Sequence, residues 1–173
     1  FMTRRFDRTT TGEKIHMQTA AGIAHLDRDM RHSYEELFGV LRQLGLNYKD
    51  FEQLYRRMAF NVIARNHDDH TKNFSFLMDN NGQWSFAPAY DICYSYNPSG
   101  RWTRRHQLSL NSKTEDFTRE DLLSVAQNIG IRDANHIIDE VLSTVASWSD
   151  TAKDCGVRPE HIKAISKTLL LKI

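Results

Sequence analysis

Nine consecutive residues, Arg65-Asn66-His67-Asp68-Asp69-His70-Thr71-Lys72-Asn73, include no apolar side chain. Such a run cannot continue an amphipathic element, so the chain must turn here with its polar groups solvated or braced against one another. The flanks narrow the possibilities. Before the run, Phe51, Leu54, Tyr55, Met58, Ala59, Val62 and Ile63 recur at the spacing of a helix with one buried face. After it, Phe74–Met78 and Gln83–Phe86 bracket Asn81-Gly82, which predicts a β-hairpin around an Asn-Gly turn. Pro88 hinders continuation of the second strand, and Ala89-Tyr90-Asp91 follows. A buried helix, a polar loop, a hairpin and a returning carboxylate are expected in that order.

The remaining signals are mostly helical. Ser33 and Glu36 form a capping box opening a helix over 34–44, with Gly45 as its stop. Asn47 caps the helix that carries the 51–63 stripe, and Thr118 opens another, closed by Gly130. One long helix is predicted from about Asp133 to near Gly156, burying Ile137, Ile138, Val141, Leu142, Val145 and Trp148. Pro159 suits the first turn of a last helix with Ile162, Ile165, Leu169 and Leu170 inward. Residues 1–32 read as a polar hinge and connector with short extended or helical pieces. Residues 93–117 are long and irregular, which suggests a mobile loop. The fold class is therefore mainly α (α+β), and 173 residues form one domain with a helical bundle over 118–173.

Composition excludes more than it identifies. Lys and Arg number 23 against 22 Asp and Glu, a formal +1, so no global field favours nucleic acid or a membrane surface. No apolar run approaches the roughly 18 residues of a membrane span, and the basic start has no apolar stretch behind it, unlike a secretory signal. Cys93 and Cys155 stand in no paired motif, which argues against a disulfide scaffold or zinc ribbon and leaves a reducing cytoplasm as the default. Phe1 ahead of Met2 fits an expressed fragment or a tag remnant equally well.

The chemistry lies in Asp68 and Asn73, spaced D-x-x-x-x-N, with Asp91 beyond the hairpin. Phosphoryl transfer from ATP needs a carboxylate to orient and deprotonate the attacking hydroxyl, and further oxygen ligands to hold magnesium against the phosphates. One tight loop can turn two such side chains to a common centre, and a hairpin can return a third. His70 and Lys72 would add positive charge near the γ-phosphate. The bland reading is a loop braced by Asx turns and ion pairs, with His70 idle. A rival reading makes His67, Asp68, Asp69 and His70 ligands of a transition metal in a phosphohydrolase, although adjacent residues converge on one ion only with backbone strain.

Asn66-His67-Asp68-Asp69-His70-Thr71-Lys72-Asn73-Phe74-Ser75 together with Pro88-Ala89-Tyr90-Asp91-Ile92 closely resembles the HipA-like serine/threonine kinases of bacterial toxin–antitoxin systems. Arg4-Arg5-Phe6-Asp7-Arg8 is similar to that family's hinge, and the segments His106–Lys113 and Phe117–Leu122 to its post-catalytic region. The resemblance implies the large, mainly helical lobe of a protein-kinase-like fold, with a small β-hairpin at the catalytic loop. It implies ATP and Mg2+ as cofactors, Asp68 as catalytic base, and Asn73 and Asp91 as metal ligands. His70 and Lys72 would contact phosphate, and Arg4 and Phe6 would lie at the adenine. Asp69 is expected to be a solvated neighbour that adds negative charge without ligating. The implied partners are a protein substrate and a DNA-binding antitoxin, with nucleic acid contacted at most indirectly and no membrane.

One departure from the family pattern bears on activity. The glycines form no G-x-G-x-x-G or P-loop, and Lys14, downstream of the hinge, reads as a surface residue. The small nucleotide-covering lobe is therefore expected to be absent. Each lost phosphate contact is worth about 2–5 kcal/mol when desolvated, and about 1.4 kcal/mol is tenfold in rate. The isolated chain is thus expected to be inactive or nearly so. The alternative is a non-catalytic large-lobe remnant that binds an antitoxin or a separate small lobe. The basic, aromatic patch Arg101-Trp102-Thr103-Arg104-Arg105-His106 would then face phosphates or an acidic partner, unless it is an ordinary exposed part of its loop.

Overall fold

The structure, a computed structural model, describes residues 2–173. Among the described residues there are seven helices and a small three-stranded antiparallel sheet. The helices are α1 (Ala20–Ile23), α2 (Tyr34–Gln43), α3 (Tyr48–Ile63), α4 (Arg119–Ile129), α5 (Ala134–Ala146), α6 (Trp148–Asp154) and α7 (Pro159–Ser166). The strands are β1 (His16–Thr19), β2 (His32–Ser33), β3 (Ser75–Met78), β4 (Trp84–Phe86) and β5 (Leu108–Ser109). This is the α+β class expected.

Local chemistry sets three helix starts. Ser33 with Glu36, Asn47 with Asp50, and Thr118 with Asp121 each form a reciprocal capping box. Gly130 ends α4 at φ 87°, the left-handed conformation only glycine adopts without strain. The apolar stripe of α3 places Leu54, Tyr55, Met58, Ala59, Val62 and Ile63 in the core, where they meet Leu37, Phe38 and Leu41 of α2 and Ile137, Ile138 and Val141 of α5. At the end of α3, the Ile63 carbonyl accepts from Leu170 N–H at 2.9 Å, tying the C-terminal segment beneath the polar run.

The predicted hairpin is present, pairing Phe76 with Phe86. The Asp79 carboxylate closes its turn by accepting from the Asn81 and Gln83 amides at 2.8 Å each. The polar opening stretch supplies an unanticipated third strand: β1 pairs antiparallel with β3, giving the order β1-β3-β4. A second small sheet joins β2 to β5 in parallel. Through it part of the 93–117 segment becomes regular structure, with His106, Leu108 and Leu110 buried.

Two helical expectations need correction. The helix predicted from Asp133 to near Gly156 is broken at Ser147, whose hydroxyl donates to Thr144 O at 2.8 Å while its amide bonds the same carbonyl at 3.2 Å. Side-chain and main-chain donors competing for one carbonyl tighten the last turn and end the helix. The last helix, α7, has no buried residue, and Ile162 and Ile165 are only half-buried. It packs on α6 at the periphery and not into the core.

Candidate functional site

The nine-residue run leaves α3 through Arg65, at φ 61°, and continues in extended form to His70 before one 3-10 turn over Thr71–Asn73. In an extended segment successive side chains face opposite ways. From His67 to His70 the faces alternate: His67 and Asp69 are buried and Asp68 and His70 face outward, while Asn66, at the exit from α3, is buried as well. This alternation separates the four residues of the transition-metal reading. Among the described residues no group of three His, Cys, Asp or Glu side chains is placed to hold a metal ion.

The outward residues form the site. The Asp68 side chain is 45 % exposed, with His70 Nε2 at 3.9 Å from its Oδ1. Asn73 Nδ2 donates to the Asp68 carbonyl at 2.9 Å, which fixes the amide and turns its oxygen away from the loop. Beyond the hairpin, Tyr90 O–H donates to Lys72 O at 2.6 Å and accepts from the Ser75 hydroxyl. That clasp returns the next residue, Asp91, to the loop. Burial pushes the Cys93 thiol above its usual range, and the charges of Asp91 and then Asp68 push it further. Asp91 itself sits at φ 51°, a left-handed conformation that Asp tolerates better than most residues. The Phe6 ring stacks against Tyr90 at 5.8 Å between centroids, which brings the hinge segment to the same edge. Arg4 is exposed, and only its neighbour Phe6 links it to the site.

The inward residues are a finding that the sequence reading missed. Asp69 is fully buried, not solvated: its carboxylate accepts from Tyr34 O–H at 2.7 Å, His106 Nδ1–H at 2.8 Å and the Gln107 amide at 2.8 Å. The inner face of this segment meets α2 and the 106–108 segment that leads into β5. From Tyr34 a chain of donors continues. Asn61 Nδ2 donates to Tyr34 Oη at 3.0 Å, Asn66 Nδ2 to Asn61 Oδ1 at 3.1 Å, and the Ser95 hydroxyl to Asn66 Oδ1 at 3.1 Å. The Asp68 amide then donates to Ser95 Oγ at 2.9 Å, closing a ring that starts and ends on adjacent residues. His67 lies between His106 and Tyr96, and burial followed by the His106 charge holds its imidazole down to about 3. Tyr34, Asn61, Ser95 and His106 carry no loop-like signal of their own. Only the extended form of 66–70 foretells an inward partner set.

Arg65 and Arg57 secure the margins. The Arg65 carbonyl accepts from the Ser95 and Tyr96 amides at 3.2 Å each, and its guanidinium donates to Thr168 O at 2.8 Å. Arg57 lies over the Phe86 ring at 4.0 Å and donates to Ala87 O at 2.6 Å, so it holds the turn that leads to Asp91.

An exposed carboxylate on a braced loop, a hairpin whose Tyr90 clasps that loop, and a hinge aromatic against Tyr90 fit the expected protein-kinase-like large lobe. Residues 1–166 match the family model for the HipA-like C-terminal domain, and this chain belongs to that family. It is 23% identical to a Haemophilus influenzae protein described as "Putative kinase", over 97% of this chain and 57% of that protein. Its fold is shared with a chain from the Shewanella oneidensis MR-1 toxin–antitoxin complex of HipA, HipB and its operator DNA. The TM-score is 0.64 at 17% identity, covering 95% of this chain and 41% of that one. The chain thus spans about half the length of these relatives.

Proposed function

We propose that this chain supplies the catalytic loop and metal-binding residues of an ATP-dependent serine/threonine-protein kinase of the HipA toxin type. The observation that carries this reading is the Tyr90 clasp on Lys72 O and the Ser75 hydroxyl, which holds the residue before Asp91 against the loop that carries Asp68 and the bonded Asn73. Asp68 accepts the proton of an incoming protein hydroxyl; its exposure leaves room for that hydroxyl, and its amide bond to Ser95 holds its backbone. The Asn73 amide oxygen and the Asp91 carboxylate are hard oxygen donors, of the kind Mg2+ prefers, and would hold that ion. Bound there, magnesium supplies positive charge to the phosphates of ATP. Lys72 and His70 stand beside Asp68, where they meet negative charge on the transferred group. Phe6, against Tyr90, and Arg4 beside it provide a hinge-side surface for the adenine.

Phosphotransfer by the complete kinase tests the reading. With magnesium and labelled ATP, Asp68→Asn should lower the rate by about 10²–10⁴, the range for loss of a general base. A wild-type rate in that variant would refute the assignment. The family membership and the Shewanella neighbour support a toxin restrained by a DNA-binding antitoxin, with nucleic acid reached through that partner. No helix among the described residues is long and apolar enough to cross a membrane; the cytoplasm is the proposed compartment, where free Cys93 and Cys155 would stay reduced. The non-catalytic alternative makes the chain a large lobe that binds an antitoxin or a separate small lobe. Phosphotransfer by the complete kinase that is lost in Asp68→Asn separates the two, since the chain alone should be slow under either reading.

A further inference from the structure

Asp68 stands between two spaces. On one side lie Asn73, bonded to the Asp68 carbonyl, and the Tyr90 clasp that leads to Asp91. On the other is a cleft of about 660 Å³ bordered by Asp68, His70 and Lys72 but by none of Asn73, Asp91 or Phe6. The proposed metal-binding residues and the hinge therefore lie off this cleft, and the loop sends Asp68, His70, Thr71 and Lys72 into it.

The far walls come from two other segments. The connector after α1 contributes Arg28, Asp29 and Met30, and the 93–117 segment contributes Arg101 and Trp102. No carboxylate lies within ion-pair distance of Arg28, Lys72 or Arg101 among the described residues. Three permanent cations thus line the cleft unpaired, against Asp29 and Asp68. The Arg101 guanidinium lies over the Trp102 ring at 4.6 Å. Met30 and Trp102 are 66% and 59% exposed, two large apolar side chains left open to water on its walls.

We propose that this cleft receives the acceptor segment of the protein substrate, and that it selects a segment with Asp or Glu flanking the acceptor Ser or Thr. The inference rests on Asp68 being the base of a kinase. The acceptor hydroxyl must approach Asp68 from a side that the nucleotide does not fill, and the cleft is that side. Arg28 and Arg101 then meet the acidic flanks, Lys72 stays with the transferred phosphate, and Met30 and Trp102 cover a bulky neighbour of the acceptor. The basic, aromatic run that begins at Arg101 thereby acquires a role as a wall for the substrate.

Calorimetric titration of the chain with two peptides tests this without any turnover. One is a Glu-rich octapeptide with a central serine, and the other has every Glu replaced by Lys. The Glu peptide should bind and the Lys peptide should not. In Arg28→Glu/Arg101→Glu, at exposed positions, affinity for the Glu peptide should fall at least about tenfold, or about 1.4 kcal/mol. The Lys peptide should gain. An unchanged thermal melt verifies that the double variant folds. Equal binding of both peptides, no binding of either, or indifference to the charge reversal would overturn the proposal. So would displacement of the Glu peptide by ATP, which would assign the cleft to nucleotide. Asp68→Asn should still bind the Glu peptide. If that variant binds while the complete kinase keeps wild-type phosphotransfer, the kinase reading of Asp68 fails and the acidic-segment site remains.

Discussion

Asp68 and Asp69 share a peptide bond and little else. One carboxylate is 45 % exposed with a histidine nitrogen 3.9 Å away, whereas the other is 0% exposed and saturated by donors from two distant segments. The outer face is arranged for encounter with solutes, and its polar groups are kept underused. The inner face is arranged for permanence, and nearly every oxygen on it has a donor. A change on the outer face should therefore cost reactivity and little stability, and a change on the inner face the reverse.

The adjacent pair gives the largest contrast. Asp69→Ala should destabilise the protein by roughly 3–5 kcal/mol, because it strands Tyr34, His106 and the Gln107 amide in the interior. Asp68→Asn should alter stability by no more than about 0.5 kcal/mol. Urea denaturation of both variants decides it, and equal midpoints would dissolve the distinction between the faces.

Acid should act on the inner face next. His67, held down to about 3, stays neutral in the fold while the unfolded chain takes up a proton near 6.5. Between those values the unfolded state carries the extra proton, so stability is complete above about pH 6.5 and falls on acidification. The slope reaches about 1.4 kcal/mol per pH unit. Replacing His67 with Phe should flatten the stability–pH curve over that window, as followed by thermal melts in matched buffers. An unaltered slope would mean that His67 is not the group responsible.

Tyr34→Phe keeps the ring and removes one donor to Asp69 and one acceptor for Asn61, with an expected loss of about 1–3 kcal/mol. Smallest in stability is Ser95→Ala, at about 1 kcal/mol. Ser95 joins the two faces, however, because it anchors the Asp68 amide. A fall in phosphotransfer larger than its effect on unfolding would show that the inner ring positions the outer base, and parallel losses would make it purely structural.

The same division decides what the sequence discloses. The outer face was legible: the stripe on α3, the Asn-Gly hairpin and the spacing of Asp68, Asn73 and Asp91 locate the loop, and local capping signals place α2, α3 and α4. The family resemblance located His106 within a post-catalytic segment. It could not say that His106 would lie on Asp69, because that contact joins residues 37 apart. β1 was missed because a four-residue strand with half-exposed positions has no periodicity to detect. The break at Ser147 was missed because Thr144 and Ser147 compete locally with a helix that the apolar stripe otherwise sustains.

The loop of donors from Tyr34 through Asn61, Asn66 and Ser95 to the Asp68 amide draws on α2, α3, the polar run and the segment after Asp91. Every link hands its hydrogen in a single rotational sense, so no member can reverse without stranding its neighbours. Grafting the DDHTKN stretch onto a foreign scaffold would therefore transfer the letters without their footing. The portable unit is a six-residue circuit scattered over sixty positions, and evolution can relocate it only by moving the whole lobe.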